Sequence, residues 1–220
     1  MQMHEGELSG VSRCPHCSVA NPRLSQVWIA AELPRANRSP KRAWAAWACA
    51  TCGHAVLGKG EPRKENAHIA PVEQLYPRPK TAHEDLPPAA RHFLQQAYDT
   101  LHAPDAAGVM SASAVDAMLK SLGYVDGALY TRIDKAAEDG VLTKGMAQWA
   151  HSVRLEANRP RHADAEKPHL TSEDALRSVE FTEALGSFLF VFTKRIERGI
   201  AAAGGSKGVA KAAPPLAQPA

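Results

Sequence analysis

Cys14-Pro15-His16-Cys17 and Cys49-Ala50-Thr51-Cys52 decide how the N-terminal part of this chain is read, because the 220 residues hold no other cysteine. Two residues between paired thiols let both sulfurs reach one ion from a single tight turn. Two such turns supply the four tetrahedral thiolates of a structural zinc site. Cys14, Cys17, Cys49 and Cys52 are therefore the expected metal ligands, and a small β zinc ribbon over residues 13–58 is the expected fold. His16 and His54 stand beside the thiols as spare ligand candidates. The competing readings are two disulfides or a redox dithiol. Disulfides need an oxidising compartment, and Met1–Gly10 has no signal-peptide pattern, so the cysteine usage points to the cytoplasm.

The segment between the pairs reads as a hairpin that brings the second turn back to the first. Gln26–Leu33 is rich in strand formers, residues 34–40 are turn-like, and Ala43–Ala48 lead into the second pair. Its tip carries Arg35, Arg38, Lys41 and Arg42 near Trp28, Trp44 and Trp47. Cations interleaved with aromatics suit single-stranded RNA or DNA, with charges on phosphates and rings on bases. In the competing reading the tryptophans form the ribbon's core, and a metal ribbon has little else to bury.

Working outward, residues 1–12 read as a flexible N-terminus and residues 59–87 as a Pro-rich connector, since Pro62, Pro71, Pro77, Pro79 and Pro87 interrupt regular pairing. From residue 88 the apolar spacing turns helical. Phe93, Leu94, Ala97 and Leu101 mark one helix, and Met110 to Leu122 a second with Pro104 at its start. Leu129, Ile133 and Ala136 mark a third, and Met146, Trp149 and Val153 a fourth. Thr171-Ser172-Glu173-Asp174 is a capped start for a last helix, in which Leu185, Phe188, Leu189, Phe192 and Ile196 make one stripe. The expectation is an all-α bundle of about five helices over residues 88–199, then a disordered tail at 200–220. That last stripe suits burial against a second copy, a homodimer. No run is long and apolar enough to span a bilayer. The net charge of +3 is too mild to announce a nucleic-acid partner by itself.

At the end of the fourth helix, expected over about Lys144–Ala157, and running into a charged loop at Arg159–Pro168, Arg154, Asn158, Arg159, Arg161 and His162 fall within nine residues. Guanidinium groups neutralise phosphate, and imidazole moves a proton near neutral pH. The competing reading is a helix C-terminus whose cations suit its dipole, with Asn158 as cap, and from the residues alone it is the stronger. No Gly-rich phosphate loop or nucleophile elbow supports a kinase, dehydrogenase or hydrolase reading.

The arrangement of Arg154, Asn158 and His162 before an acidic-capped final helix resembles the family catalogued as domain of unknown function 4145, over residues 14–198. Ser111–Val115 with Met118-Leu119 resembles that family's second helix. Ala157 replaces the family's usual glycine, and Arg159-Pro160-Arg161 is bulkier than its usual small residues. The family is similar to the HEPN group of helical bundles. That resemblance implies a nucleic-acid-associated or protein-interaction module with a structural zinc, of the kind found in phage-defence or restriction systems. It also implies an enzymatic rival, a metal-independent ribonuclease. There His162 would be general acid or base, Arg154 would stabilise the phosphorane, and Asn158 would orient either the histidine or the phosphate.

Overall fold

The computed structural model describes residues 1–29, 35–62, 69–162, 166 and 169–203, with the backbone alone at residues 69, 70, 161 and 162. It divides into two units, Met1–Lys80 and Thr81–Ala220.

The first unit corrects the zinc-ribbon expectation. Six strands, β1 (Gln2–His4), β2 (Glu7–Ser9), β3 (Leu24–Ile29), β4 (Ala43–Cys49), β5 (Ala55–Gly60) and β6 (Ile69–Tyr76), pair antiparallel in chain order, and β6 returns to β1 to close a barrel. Residues 1–12 are thus no flexible tail. They contribute two staves, in register through Met3↔Leu8 and Gln2↔Pro71. Nor are residues 59–87 a connector. Their first two residues end β5, and β6 lies inside the span. Pro71 sits opposite Gln2 of β1, beyond the last β5–β6 pair (Gly60↔Val72), and the β5–β6 register slips at Glu73.

Alternation sets the inside of the barrel. Ala45, Trp47 and Cys49 of β4 point inward, as do Val56, Gly58 and Gly60 of β5. With Met3, Leu8, Val11, Cys14, Leu24, Val72 and Leu75 they form the core around Trp47, which is 1% exposed. A Cβ on Gly58 would lie 2.6 Å from Trp47 Cζ3, and one on Gly60 would overlap the Pro71 carbonyl oxygen. The two glycines therefore make room for the indole and for β6. Among the described residues this apolar cluster has eleven buried members, a small core for an 80-residue unit, and units of this size commonly need a covalent or metal staple.

The second unit has the expected helical bundle: α1 (Pro88–Asp99), α2 (Pro104–Ser121), α3 (Leu129–Glu138), α4 (Lys144–His162) and α5 (Ser172–Gly186). A π-helical turn at Ser187–Val191 then leads into α6 (Phe192–Ala203). Prolines at the first helical position open α1 and α2. α2 lies at the centre, packed by α1, α4 and α5, and buries Ala107, Ala114, Val115, Met118 and Leu119. Small residues bring the helices close: a Cβ on Gly186 would meet Leu86 and Met118.

Two helical expectations are corrected. α4 continues through Pro160 to His162, where a loop was expected; a proline this near a helix end removes one backbone hydrogen bond of the last turn. The stripe expected to run unbroken along the last helix also divides. Leu185 is buried, but Phe188, Phe192 and Ile196 are exposed, because the π turn re-phases the helix after Gly186. Residues 200–203 extend α6, and the rest of the expected tail lies outside the described residues. No helix among the described residues is long and apolar enough to cross a membrane.

Candidate metal centre and nucleic-acid interface

The two cysteine pairs occupy the tips of two hairpins at one end of the barrel. The first tip is pinned by a bridge between Arg13 and Ala20, and the second joins β4 to β5. They are the same turn built twice. Ser18 N–H donates to the Cys14 carbonyl at 3.0 Å and Gly53 N–H to that of Cys49 at 2.8 Å. Cys14 N–H donates to Val19 O and Cys49 N–H to His54 O, both at 3.0 Å. Each turn passes through a left-handed residue just after its second cysteine: Ser18 with φ +59° and Gly53 with φ +73°.

These turns aim four sulfurs at one point. The Sγ atoms of Cys14, Cys17, Cys49 and Cys52 all lie within 4.8 Å of one another, and Cys14 Sγ is 3.9 Å from Cys52 Sγ. A tetrahedral ion with sulfur bonds of about 2.3 Å has edges of about 3.8 Å, so the spacing fits four thiolates around a metal. It does not fit disulfides, whose sulfurs sit about 2.05 Å apart, and all four cysteines are free. Burial pushes the Cys17 thiol up to about 12 and raises that of Cys52. At Cys49 burial acts the same way, but backbone N–H groups of Cys52 and Thr51 outweigh it and bring the thiol down to about 7. The exposed His16 and His54 rings stack at 4.9 Å. His16 Nε2 donates to Ala55 O and His54 Nδ1 to Cys52 O, so both hydrogen-bond to the backbone around the four-sulfur cluster.

The described part of the β3–β4 connection, residues 35–42, leads into the other end of β4, six residues and about 20 Å from Cys49, and residues 30–34 of the expected hairpin lie outside the described residues. Arg35, Arg38 and Lys41 are exposed there. Arg35 Nη1 donates to Ser39 Oγ at 2.8 Å, and Arg42 is ion-paired with Glu73 at 3.0 Å. The three tryptophans part company. Trp47 is core, whereas Trp28 and Trp44 lie on the outer wall. Leu57, Lys59 and Tyr76 join them there, through pairings the sequence alone did not disclose.

In the helical unit Arg154, Asn158 and His162 stand at i, i+4 and i+8 of α4, which places them along one helical face. The Arg154 guanidinium lies 5.3 Å from the Tyr130 ring centre, and its Nε is buried with no hydrogen-bond partner. Asn158 and Arg159 are half-buried, and the side chains of Arg161 and His162 lie outside the described residues. A partner the sequence reading missed is His151, whose Nε2 is 2.9 Å from Asp134 Oδ1 and whose ring sits 5.0 Å from Tyr130. Arg154 is thus stacked into the α3–α4 seam. A groove of about 820 Å³ beside α2 is walled by Phe93, Leu129 and a neutralising cluster in which Asp116 bridges Lys120 and Arg132.

Fold and site together define a two-unit chain: a β-barrel with four clustered thiols that could hold a metal ion, and a helical bundle. Residues 95–198, within the helical unit, match the model of the family described as "Domain of unknown function (DUF4145)", so the helical unit is similar to that family. No curated protein and no solved structure matches it.

Proposed function

We propose that the chain is a nucleic-acid-associated module whose barrel, stapled by zinc on Cys14, Cys17, Cys49 and Cys52, is the binding unit. The observation that carries this reading is the partition of charge. Residues 1–80 hold eleven Lys and Arg against six Asp and Glu, a net of +5. Residues 81–220 hold fifteen against seventeen, a net of −2. The whole-chain value of +3 hides this contrast. A cationic barrel suits a polyanion, while the near-neutral bundle suits assembly. Four thiols whose sulfurs lie within 4.8 Å of one another suit tetrahedral zinc, which would cross-link the two hairpin tips. Reduced thiolates also suit the cytoplasm. Phe188, Phe192, Ile196 and Ile200, exposed at every fourth position, suit a homodimer or a protein partner.

The test is a salt titration of oligonucleotide binding by the metal-loaded chain, beside a variant with Arg35, Arg38, Lys41 and Arg42 changed to Gln. Binding should weaken linearly in log–log salt, and the variant should show a shallower slope. Equal slopes would remove the hairpin from the interface, and no binding at low salt would sink the reading.

A metal-independent ribonuclease is the second reading, favoured by the placement of Arg154, Asn158 and His162 on one face of α4. It requires RNA cleavage in excess chelator that His162→Ala abolishes. The stacking of Arg154 on Tyr130 weighs against it, since that guanidinium would have to leave the ring to reach a phosphate.

A further inference from the structure

The outer wall of the barrel carries an ordered set of side chains that neither the metal centre nor the barrel core requires. Cross-strand pairing sets Trp28 opposite Ala46, Ala46 opposite Leu57, and Leu57 opposite Tyr76, one row across β3, β4, β5 and β6. Trp28 is 50% exposed, Leu57 42% and Tyr76 37%. Beside this row Trp44 pairs with Lys59. The Trp44 and Tyr76 rings stack with centroids 6.0 Å apart, and Lys59 Nζ lies 5.9 Å from the Tyr76 ring centre. Nearer the metal end the outward positions are small, Ser25, Ala48 and Ala55. The row of Trp28, Leu57 and Tyr76 thus crosses the middle of the wall, with Trp44 and Lys59 on its side toward the cationic hairpin.

We infer that this wall is a base-stacking platform for single-stranded nucleic acid, which deepens the proposed function and rests on it. Exposed rings on a sheet cost solvation unless something covers them, and a base offers a flat π-face of matching size. Three inter-strand steps separate Trp28 from Tyr76, about 14 Å, the length of about four stacked nucleotides. Ala46 between them leaves a shallow floor, so a base can lie against either ring. The charges favour a polyanion over a neutral apolar partner. Lys59 lies within the ring cluster, and Arg35, Arg38 and Lys41 lie on the adjoining hairpin. The acid on β6 next to this row, Glu73, is already engaged by Arg42. A duplex, whose bases are stacked internally, cannot use the rings and can take only the cations.

The experiment uses the full-length, metal-loaded chain with labelled oligo(dT), oligo(U) and a duplex of equal length. Trp28→Ala, Tyr76→Ala and the double variant are compared with wild type. These side chains lie outside the barrel core, and the thermal midpoint of each variant confirms folding. Each single change should weaken single-strand binding about tenfold and leave the weaker duplex binding unchanged. Bound single strands should also quench tryptophan emission, with a smaller quench in Trp28→Ala. If the folded double variant bound single strands as well as wild type, or the duplex bound as tightly as single strands, the platform would be overturned and the charge-based function would stand. If wild type bound no oligonucleotide at low salt, the proposed function itself would fall and this inference with it.

Discussion

Gly58 shows how much of the barrel depends on single positions. It faces inward on β5, and a methyl there would press on Trp47 Cζ3 at 2.6 Å and Val72 Cγ1 at 2.9 Å. Trp47 cannot yield, because its indole fills the centre of a small core. Gly58→Ala should therefore destabilise the barrel by about 1–3 kcal/mol, the range for overpacking a filled core. The check is a denaturant midpoint read by tryptophan emission, since three of the four tryptophans lie in this unit. An unchanged midpoint would mean that the indole has another place to go. In the sequence Gly58 and Gly60 look like punctuation before a proline-rich stretch. Their role becomes visible only once β6 is known to lie beside them. The cysteine ligands, by contrast, were legible at once, because a two-residue spacing constrains both sulfurs locally. Trp28 and Trp47 could not be told apart, since a bulge between Gln26 and Trp28 resets the alternation of β3.

At the scale of elements, the start of α5 illustrates a signal that was readable and a coupling that was not. Thr171 Oγ1 accepts from Asp174 N–H at 3.1 Å, and Asp174 Oδ2 accepts from Thr171 N–H at 3.1 Å, a reciprocal capping box. Thr171→Ala should cost the helical unit about 1 kcal/mol, measured by urea unfolding followed at 222 nm. The segment before the cap is also tied to α2. Asp105 accepts from Leu170 N–H at 2.7 Å and pairs with His169 at 2.8 Å, a link across 65 residues that no local pattern reveals. Backbone N–H groups hold both carboxyls below the ordinary aspartate value of 3.8: Thr171 for Asp174, and Leu170, with His169 behind it, for Asp105. A carboxyl depressed in the folded state stabilises fully above its unfolded value and loses that contribution as pH falls through its folded value. The helical unit should therefore lose stability on acidification below about pH 4, and Asp105→Asn with Asp174→Asn should flatten that loss. An equally steep acid limb in the double variant would place the titration elsewhere. The strands were harder to read than the helices for a physical reason. A helix declares itself over three or four turns, whereas β1 and β2 are three residues each and acquire meaning only through distant partners.

For the whole molecule, the two cores make a prediction that joins the metal to the proposed function. Each unit has its own buried cluster, and the barrel's is the smaller. Cys14 and Cys49 belong to that barrel core, so removing the ion would leave buried thiolates to be protonated and two hairpin tips without a cross-link. Chelation should lower the barrel's melting midpoint by more than about 10 °C, since an 80-residue unit shifts about 4–8 °C per kcal/mol and a structural metal supplies several. The ellipticity at 222 nm, which reports mainly the bundle, should melt at its former temperature. Cys49→Ser should reproduce the chelated state and bind less than one equivalent of metal, and oligonucleotide binding should fall in step because the platform strands β3 to β6 lie in the same unit. If chelation with proven metal loss left both transitions in place, the four sulfurs would have to be serving another purpose. If it melted the bundle as well, the two cores would be energetically coupled, and the division of labour between a binding barrel and an assembling bundle would have to be abandoned.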